Sequence, residues 1–258
     1  EQGFAMSLKI NHDADGIRTI QLARPPVNAL DPELVGLLTE AVDAAIAEEA
    51  SAIIIAGGPG VFSAGLDVPV LLGLSREEMT QFWRSLFGIT ARLARSPVPI
   101  AAAIDGHSPA GGAVLALFCD YRVMADGPFR IGLNEVEVGL PVPAWIQAAL
   151  RRQIGARPAE QLLVTGALIE SRQALAVGMV DALQPPGEVL AAARDWCRNL
   201  LALPRQAMLS TRRLARRDLD EIFTSSEHGD FQAMTDAWFG DETQGAMRAL
   251  VARLKAGG

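Results

Sequence analysis

Few residues in this chain suit a disulfide scaffold or a metal centre. Its 258 residues include 2 cysteines and 3 histidines, and only 5% are aromatic. Cys119 and Cys197 lie far apart in apolar or helix-like surroundings, which predicts buried free thiols in a reducing compartment. These cysteines and the scattered histidines predict no metal site. A net charge of -7 argues against nucleic acid or an anionic membrane as the main partner.

Long hydrophobic runs are also missing. The longest apolar region, Pro97 to Phe118, is interrupted by Asp105 and His107 and contains proline and glycine, so it does not resemble a membrane span. No basic segment followed by an apolar one precedes it, as a secretory signal would require. We expect a soluble, cytoplasmic protein that starts naturally at Met6, with residues 1–5 a leftover of expression.

The composition that is present predicts an α/β protein. Half of the residues are hydrophobic and 21% are charged, and the length allows one large domain with a small appendage. Asp31-Pro32 and the capping box from Ser75 to Glu78 predict the starts of two helices, the second running to about Arg95. Strands are predicted mainly in the first half, at Leu8–Asn11, Ile17–Leu22, Ala52–Ala56, Pro97–Ile104, Tyr121–Met124 and Phe129–Ile131. From Pro143 onward the pattern is helical, apart from a short strand at Met179–Ala182.

Two glycine-rich turns follow predicted strands, one from Phe62 to Asp67 and one from Gly106 to Gly112. Glycine lets main-chain N–H groups point into a shared space, and two converging amides can form an oxyanion hole. The alternative is that both are ordinary tight loops. A dinucleotide fold is disfavoured, because no G-x-G-x-x-G follows an N-terminal strand and no phosphate-binding G-x-x-x-x-G-K-[ST] occurs.

Glu135 is the candidate base. It lies in the apolar stretch from Arg130 to Pro141, where poor hydration would raise the pKa of a carboxyl group and suit proton transfer near neutral pH. Glu137 would share its face if this segment were extended, and a solvated charge is the alternative for either residue.

His107 is expected to be a polar loop residue. Ser63 and Ser108 lack a nucleophile elbow, Asp67 and Asp105 are expected to bond their own turns, and the arginines of 212–217 are expected to form a solvated helix face.

Four segments in this order resemble the crotonase (enoyl-CoA hydratase/isomerase) superfamily, over nearly the whole chain from Met6. They are Pro26-Val27-Asn28-Ala29-Leu30, Phe62-Ser63-Ala64-Gly65-Leu66-Asp67, Ile104-Asp105-Gly106 leading to Ala110-Gly111-Gly112, and Cys119-Asp120-Tyr121-Arg122. The resemblance implies a spiral of ββα units over residues 6–195, with a helical trimerisation region over 196–258. It also implies a homotrimer or a dimer of trimers.

The same resemblance implies an acyl-CoA thioester as substrate. Coenzyme A is then part of the substrate, and no separate cofactor is expected. The thioester oxygen would bind the N–H groups of Leu66 and Gly111, with Glu135 as the catalytic base. The expected substrate-binding residues are Ala64, Gly65, Leu66, Asp67, Val68, Gly111 and Asn134.

Hydratases of this superfamily use two glutamates, and this sequence matches only one of them. Glu135 corresponds to the second, whereas Val114 occupies the position of the first and cannot activate water. Beyond Glu135, where hydratases commonly have a glycine, the segment Pro141-Val142-Pro143 lacks N–H groups at its prolines. The sequence is similar to the monofunctional mitochondrial-type Δ3,Δ2-enoyl-CoA isomerases, in which a single glutamate moves a proton during β-oxidation.

The resemblance therefore implies conversion of 3-enoyl-CoA to trans-2-enoyl-CoA, with Val114, Leu140 and Trp145 excluding water. Alternatives are hydration or thioester hydrolysis through Glu135 or Glu137, and binding of acyl-CoA without turnover. The expected contacts of the coenzyme A phosphates are Arg24, the helix of Arg212–Arg217 and Lys255. Phe82, Trp83 and Phe87 are expected in the core, with a wall of the acyl pocket as the alternative.

Overall fold

A computed structural model describes residues 7–224 and 230–256 of the chain. The expected leftover segment and Met6 lie outside the described residues. The strands are β1 Leu8–His12, β2 Ile17–Leu22, β3 Ala52–Ala56, β4 Gly60–Val61, β5 Ile100–Ile104, β6 Gly106–Pro109, β7 Tyr121–Ala125, β8 Arg130–Gly132, β9 Ile169–Glu170 and β10 Ala182–Gln184. The helices are α1 Pro32–Ala47, α2 Val68–Leu71, α3 Arg76–Arg95, α4 Gly111–Leu117, α5 Ala144–Ile154, α6 Ala156–Thr165, α7 Ser171–Val177, α8 Val189–Leu201, α9 Arg205–Ala215, α10 Arg217–Glu221, α11 Phe231–Trp238 and α12 Asp241–Ala256.

Two helix starts follow directly from the local sequence. The side chain of Asp31 accepts the Leu34 amide, and Pro32 fits the first turn of α1 because its missing N–H needs no partner there. Ser75 and Glu78 form the capping box of α3, which ends at Arg95 as its pattern predicts. Both helices pack against each other through buried apolar faces.

Six strands form the main sheet in the order β1-β2-β3-β5-β7-β10. Only the pair β1 and β2 is antiparallel, and the remaining pairs are parallel. Strands β3 and β5 are buried along their whole length, which explains why both are continuous apolar runs. The predicted strand at Met179–Ala182 instead begins at Ala182, because Met179 and Val180 lie in the turn after α7.

A smaller sheet carries the features that matter for function. Its order is β4-β6-β8-β9, with β4, β6 and β8 parallel and β9 antiparallel to β8. Because the carboxyl ends of adjacent parallel strands meet at one edge, the loops after these three strands are brought together. These are the loops that contain Leu66, Gly111 and Glu135.

The later helices cover the sheets. Val189, Ala193 and Cys197 of α8 pack against the six-stranded sheet in an apolar cluster, so the predicted boundary at residue 195 lies inside a helix that belongs to the sheet packing. Phe82 and Trp83 of α3 are buried in the main core, and Phe87 forms edge-to-face contacts with Trp145, Phe223 and Phe231. Among the described helices, none is both long and apolar enough to cross a membrane.

Candidate active site

The loop after β4 and the loop after β6 touch each other. A Cβ atom added at Gly65 would stand 3.2 Å from the amide nitrogen of Gly111, and one added at Gly111 would stand 2.7 Å from Cδ1 of Leu30. Gly65 also has φ +87, a conformation that strains other residues. Glycine is therefore required at position 65, whereas a side chain at position 111 would have to displace the buried side chain of Leu30.

The contact between these loops leaves two amides available. Within the described residues, the N–H groups of Leu66 and Gly111 donate no hydrogen bond to another protein group. The peptide oxygen of Gly65 accepts from Leu30 N at 2.7 Å, and the peptide oxygen of Ala110 accepts from Val114 N at 2.9 Å. Because a trans peptide holds its C=O and N–H in opposite directions, each of these hydrogen bonds fixes the direction of the following N–H. Two oriented amides can stabilise an oxyanion.

Glu135 begins the third loop, three residues after β8. Strand β8 pairs with β6 so that Pro109 faces Gly132, and the Ala110 amide donates to Gly132 O at 2.8 Å. This hydrogen bond ties the loop of Gly111 to the segment that carries Glu135. Residues Glu135–Val138 form a single 3-10 turn, which Leu140 N closes by donating to Glu135 O.

The carboxyl group of Glu135 is poorly hydrated. The residue is 7% exposed, and its Oε2 has no hydrogen-bond partner in the described part of the chain. Burial raises its pKa to about 7, although its own backbone N–H opposes the shift. A carboxyl group with this pKa can exchange a proton with a substrate near neutral pH.

Buried apolar side chains lie on α4, on α5 and just before α5. Val114 lies on α4 and is 1% exposed, while Leu140 and Trp145 are buried as well. Helix α4 packs against both β8 and α5. The position of Val114 thus presents a hydrocarbon side chain and no second carboxylate.

Glu137 does not share the environment of Glu135, because the segment is not extended. The 3-10 turn moves Glu137 to the exposed side, where its Oε2 accepts a hydrogen bond from Asn134 Nδ2 at 3.1 Å. Gly139 in the left-handed conformation closes this turn. Asn134, expected to contact substrate, has its amide group committed to Glu137.

Comparison with known proteins identifies the family of this chain. The family model described as "Enoyl-CoA hydratase/isomerase" matches residues 12–256. The chain belongs to the enoyl-CoA hydratase/isomerase family.

Relatives in this family include proteins named for two reactions. "Enoyl-CoA delta isomerase 1, mitochondrial" from Mus musculus is 33% identical over 243 residues, covering 93% of this chain and 84% of that protein. A "Putative enoyl-CoA hydratase" from Thermus thermophilus is 39% identical over 171 residues, covering 65% and 67% of the two chains. The crystal structure of human mitochondrial delta3-delta2-enoyl-CoA isomerase superposes with a TM-score of 0.91 at 31% identity, covering 97% of this chain and 98% of that one. The α/β crotonase fold and an enoyl-CoA reaction class follow.

In this enoyl-CoA hydratase/isomerase chain, some of the expected substrate-binding residues of the first loop form the turn, and the others lie at the start of α2. Ala64, Gly65 and Leu66 form the turn itself, and the Ala64 amide donates to Val27 O. The carboxylate of Asp67 caps α2 by accepting the Val70 amide, and it also pairs with Arg24 at 2.7 Å. Val68 begins α2 and is buried. The Asp67 side chain is therefore bound by protein groups.

Other polar residues near the loops have structural partners. Ser63 Oγ donates to Asn28 O, and the exposed His107 accepts the Arg130 amide through Nδ1. Asp105 accepts the Gly187 amide, so it bonds a distant turn and not its own. Among residues 7–224 and 230–256, no group of three or more His, Cys, Asp and Glu side chains could hold a metal ion.

The expected phosphate-binding arginines are mostly occupied by carboxylates. Arg212 and Arg216 are half-buried and pair with Asp120, so the expectation of a fully solvated face is wrong for these two. Arg213 and Arg217 on the same segment are exposed, as is Lys255 at the end of α12. Arg24 lies between Asp31 and Asp67.

The sequence did not show that the segment around Asn28 supports the first loop. Asn28 adopts a positive φ of 52, donates through Nδ2 to Phe62 O and accepts the Arg24 amide through Oδ1. Asparagine tolerates this conformation better than other residues with side chains, so its place in a proline-rich turn was an available signal. Its partner Phe62 is 34 residues away, and no local pattern could identify it.

Proposed function

We propose that this protein isomerises 3-enoyl-CoA to trans-2-enoyl-CoA through a 1,3-proton shift by a single glutamate. The observation that carries the proposal is the buried Glu135, with a pKa raised to about 7, on a segment hydrogen-bonded to the loop of Gly111. In the described part of the chain, the amides of Gly111 and Leu66 donate to no protein group. The family's enoyl-CoA reactions and the relatives named as isomerases support it.

In the proposed mechanism, the thioester oxygen accepts hydrogen bonds from the amides of Leu66 and Gly111. Ionised Glu135 removes a proton from C2, and the electron pair of that C–H bond forms the dienolate across the thioester and the C3=C4 bond. The protonated Glu135 then returns the proton to C4, which leaves the double bond between C2 and C3. The enzyme ends in its starting protonation state, so no further reactant is needed.

Hydration is the competing reaction, because several relatives are named as hydratases. The proposal favours isomerisation because Val114, which is apolar and buried, stands at the position where the resemblance places the first glutamate of hydratases. An apolar wall of Val114, Leu140 and Trp145 would also protect the dienolate from protonation by solvent.

The test is an ultraviolet assay of conjugation with cis- and trans-3-enoyl-CoA substrates of several chain lengths. We expect turnover by the wild type and a loss of about 10²–10⁴-fold in E135Q, since the amide group cannot accept the proton. The E137Q variant is a matched control and should retain wild-type turnover. Formation of 3-hydroxyacyl-CoA from trans-2-enoyl-CoA as the faster reaction would overturn the proposal in favour of a hydratase.

Binding of acyl-CoA without turnover is the remaining alternative. It requires that no 3-enoyl-CoA of any length be conjugated, while calorimetry still detects binding. The assembly is proposed as a homotrimer or a dimer of trimers, and coenzyme A enters only as part of the substrate.

A further inference from the structure

Arg24 is held between two carboxylates close to the first of the two amides. Its guanidinium group lies 2.9 Å from Oδ2 of Asp31 and 2.7 Å from Oδ2 of Asp67, and it also donates to Ala29 O at 3.1 Å. The side chains of Asp31 and Asp67 are only 9% and 12% exposed. One arginine therefore joins the segment before α1 to the segment before α2.

These two segments fix the Leu66 amide between them. Leu30 N donates to Gly65 O at 2.7 Å, and Asp67 N donates to Leu30 O at 2.9 Å. The first hydrogen bond holds the peptide that contains the Leu66 N–H, and the second holds the peptide that follows it. If the segments separated, both peptides could rotate and the amide would lose its direction.

The charges around Arg24 argue against a role in binding phosphate. One guanidinium beside two carboxylates gives the group a formal charge of -1, which repels an anion. The planar guanidinium offers several N–H donors that can reach both carboxylates and Ala29 O at once. A lysine has a single charged nitrogen and could not hold the same three acceptors equally well.

We propose that Arg24 is a positioning residue that aligns the Leu66 amide for the thioester oxygen. This inference rests on the proposed function, because it assigns Arg24 to the oxyanion hole of the same site. It predicts that Arg24 affects the reaction and the thioester carbonyl, and not the affinity for the coenzyme A portion.

The experiment compares the wild type with R24M and R24K. For each protein we would measure kcat and KM with a 3-enoyl-CoA, the Kd of free coenzyme A, and the infrared carbonyl frequency of a bound saturated acyl-CoA. We expect R24M to lower kcat by about 10–100-fold, part of the 10²–10³-fold effect of losing one oxyanion donor. The kcat of R24K should lie between those of the wild type and R24M. In both variants the Kd of free coenzyme A should change less than twofold.

R92M is the matched control, because Arg92 pairs with Asp43 on the surface and its removal deletes the same charge from an exposed site. It should leave kcat and the carbonyl frequency unchanged. In R24M the carbonyl band should shift towards its frequency in water, which a loss of stability alone would not produce. R24K carries the same comparison if R24M does not fold.

Two results would overturn the inference. A weaker Kd for free coenzyme A with unchanged kcat would make Arg24 a phosphate contact. A lower melting temperature with unchanged kcat and carbonyl frequency would make it a purely structural residue. If the wild type conjugated no 3-enoyl-CoA, the proposed function would fail, and the carbonyl frequency would still decide the role of Arg24.

Discussion

Glu135 is buried and is the proposed catalytic base, and its pKa sets the pH range in which it can accept a proton. The group must be ionised to remove the C2 proton, and burial raises its pKa to about 7. We expect kcat/KM to rise about tenfold per pH unit below that value and to level off above it. A pH profile between 5 and 9 checks this, and a plateau already present at pH 5 would contradict it.

The same burial makes Glu135 costly to ionise in the folded chain. A carboxyl group whose pKa is raised on folding stabilises the fold below its unfolded pKa, and this contribution is lost as the pH rises through the folded pKa. The shift from 4.5 to about 7 corresponds to about 3 kcal/mol. E135Q should therefore unfold with a higher free energy than the wild type at pH 8. The gain should largely vanish at pH 4, which chemical denaturation at both pH values would measure.

Ala110 has a backbone conformation that few residues with a side chain adopt. Its φ is 44 and its ψ is -119, while its N–H and C=O are both held by hydrogen bonds to neighbouring segments. A110G should relieve strain and stabilise the fold by about 1 kcal/mol with kcat within threefold. A110V should lower kcat at least tenfold, because a β-branched residue resists positive φ and would turn the Gly111 amide.

The control for Ala110 is Glu49, which also has a positive φ, of 56, and lies just beyond the end of α1. E49G should stabilise the fold without changing kcat. Thermal unfolding together with the conjugation assay separates the two positions. Equal kcat values in A110V and the wild type would remove Ala110 from the orientation of the amide.

At the scale of single residues, the sequence reveals those residues whose type is unusual for the sequence around them. Gly65, Gly111 and Glu135 stand out because glycine marks unusual backbone and a carboxylate in an apolar run marks poor hydration. Arg24 does not stand out, because its partner Asp67 lies 43 residues further along the chain. An isolated arginine is equally compatible with a phosphate contact, an ion pair and a solvated surface.

At the element scale, local signals predicted helix starts, whereas they left the conformation of the turn after β8 open. Asp31 and Ser75 act within their own first turns, so their caps are readable without knowledge of the fold. The turn at Glu135–Val138 packs against α6 and α12, which come later in the chain. Its conformation depends on Gly139 and on Thr243, whose Oγ1 donates to Gly139 O. Contacts between residues distant in sequence therefore stabilise this turn.

Helix α9 is tied to the main sheet by one carboxylate. Asp120 accepts hydrogen bonds from Arg212 and the Ile100 amide and forms an ion pair with Arg216, and its side chain is 10% exposed. D120N would leave two half-buried guanidinium groups without their counter-charge, so we expect a loss of about 3–5 kcal/mol in the free energy of unfolding. D43N, at the exposed pair with Arg92, should cost less than about 1 kcal/mol. Similar losses in both variants would contradict this role for Asp120.

At the scale of the whole molecule, the sequence predicted the class of fold because strands and helices follow one another in a readable order. It could not predict how the carboxyl-terminal helices pack. Phe223 and Phe231 contact Phe87 of α3, and Thr243 of α12 contacts the turn that carries Glu135. Helix α12 thus lies against the candidate site of its own chain, through contacts between residues that are far apart in the sequence.

The association of whole chains gives the last prediction. Trp196, Leu200, Leu203, Pro204 and Met208 line a groove of about 510 Å³ between α8 and α9, and Leu203 is 51% exposed in the single chain. Apolar surface of this kind favours contact between protein copies. For the proposed homotrimer or dimer of trimers, we expect three or six copies per particle by light scattering. L203D should shift the mass towards one copy, because a carboxylate is poorly tolerated in an apolar interface. V164D is the control, since Val164 is apolar and 74% exposed on α6, outside the expected trimerisation region. A single-chain mass for the wild type, or equal dissociation in both variants, would contradict assembly through this groove.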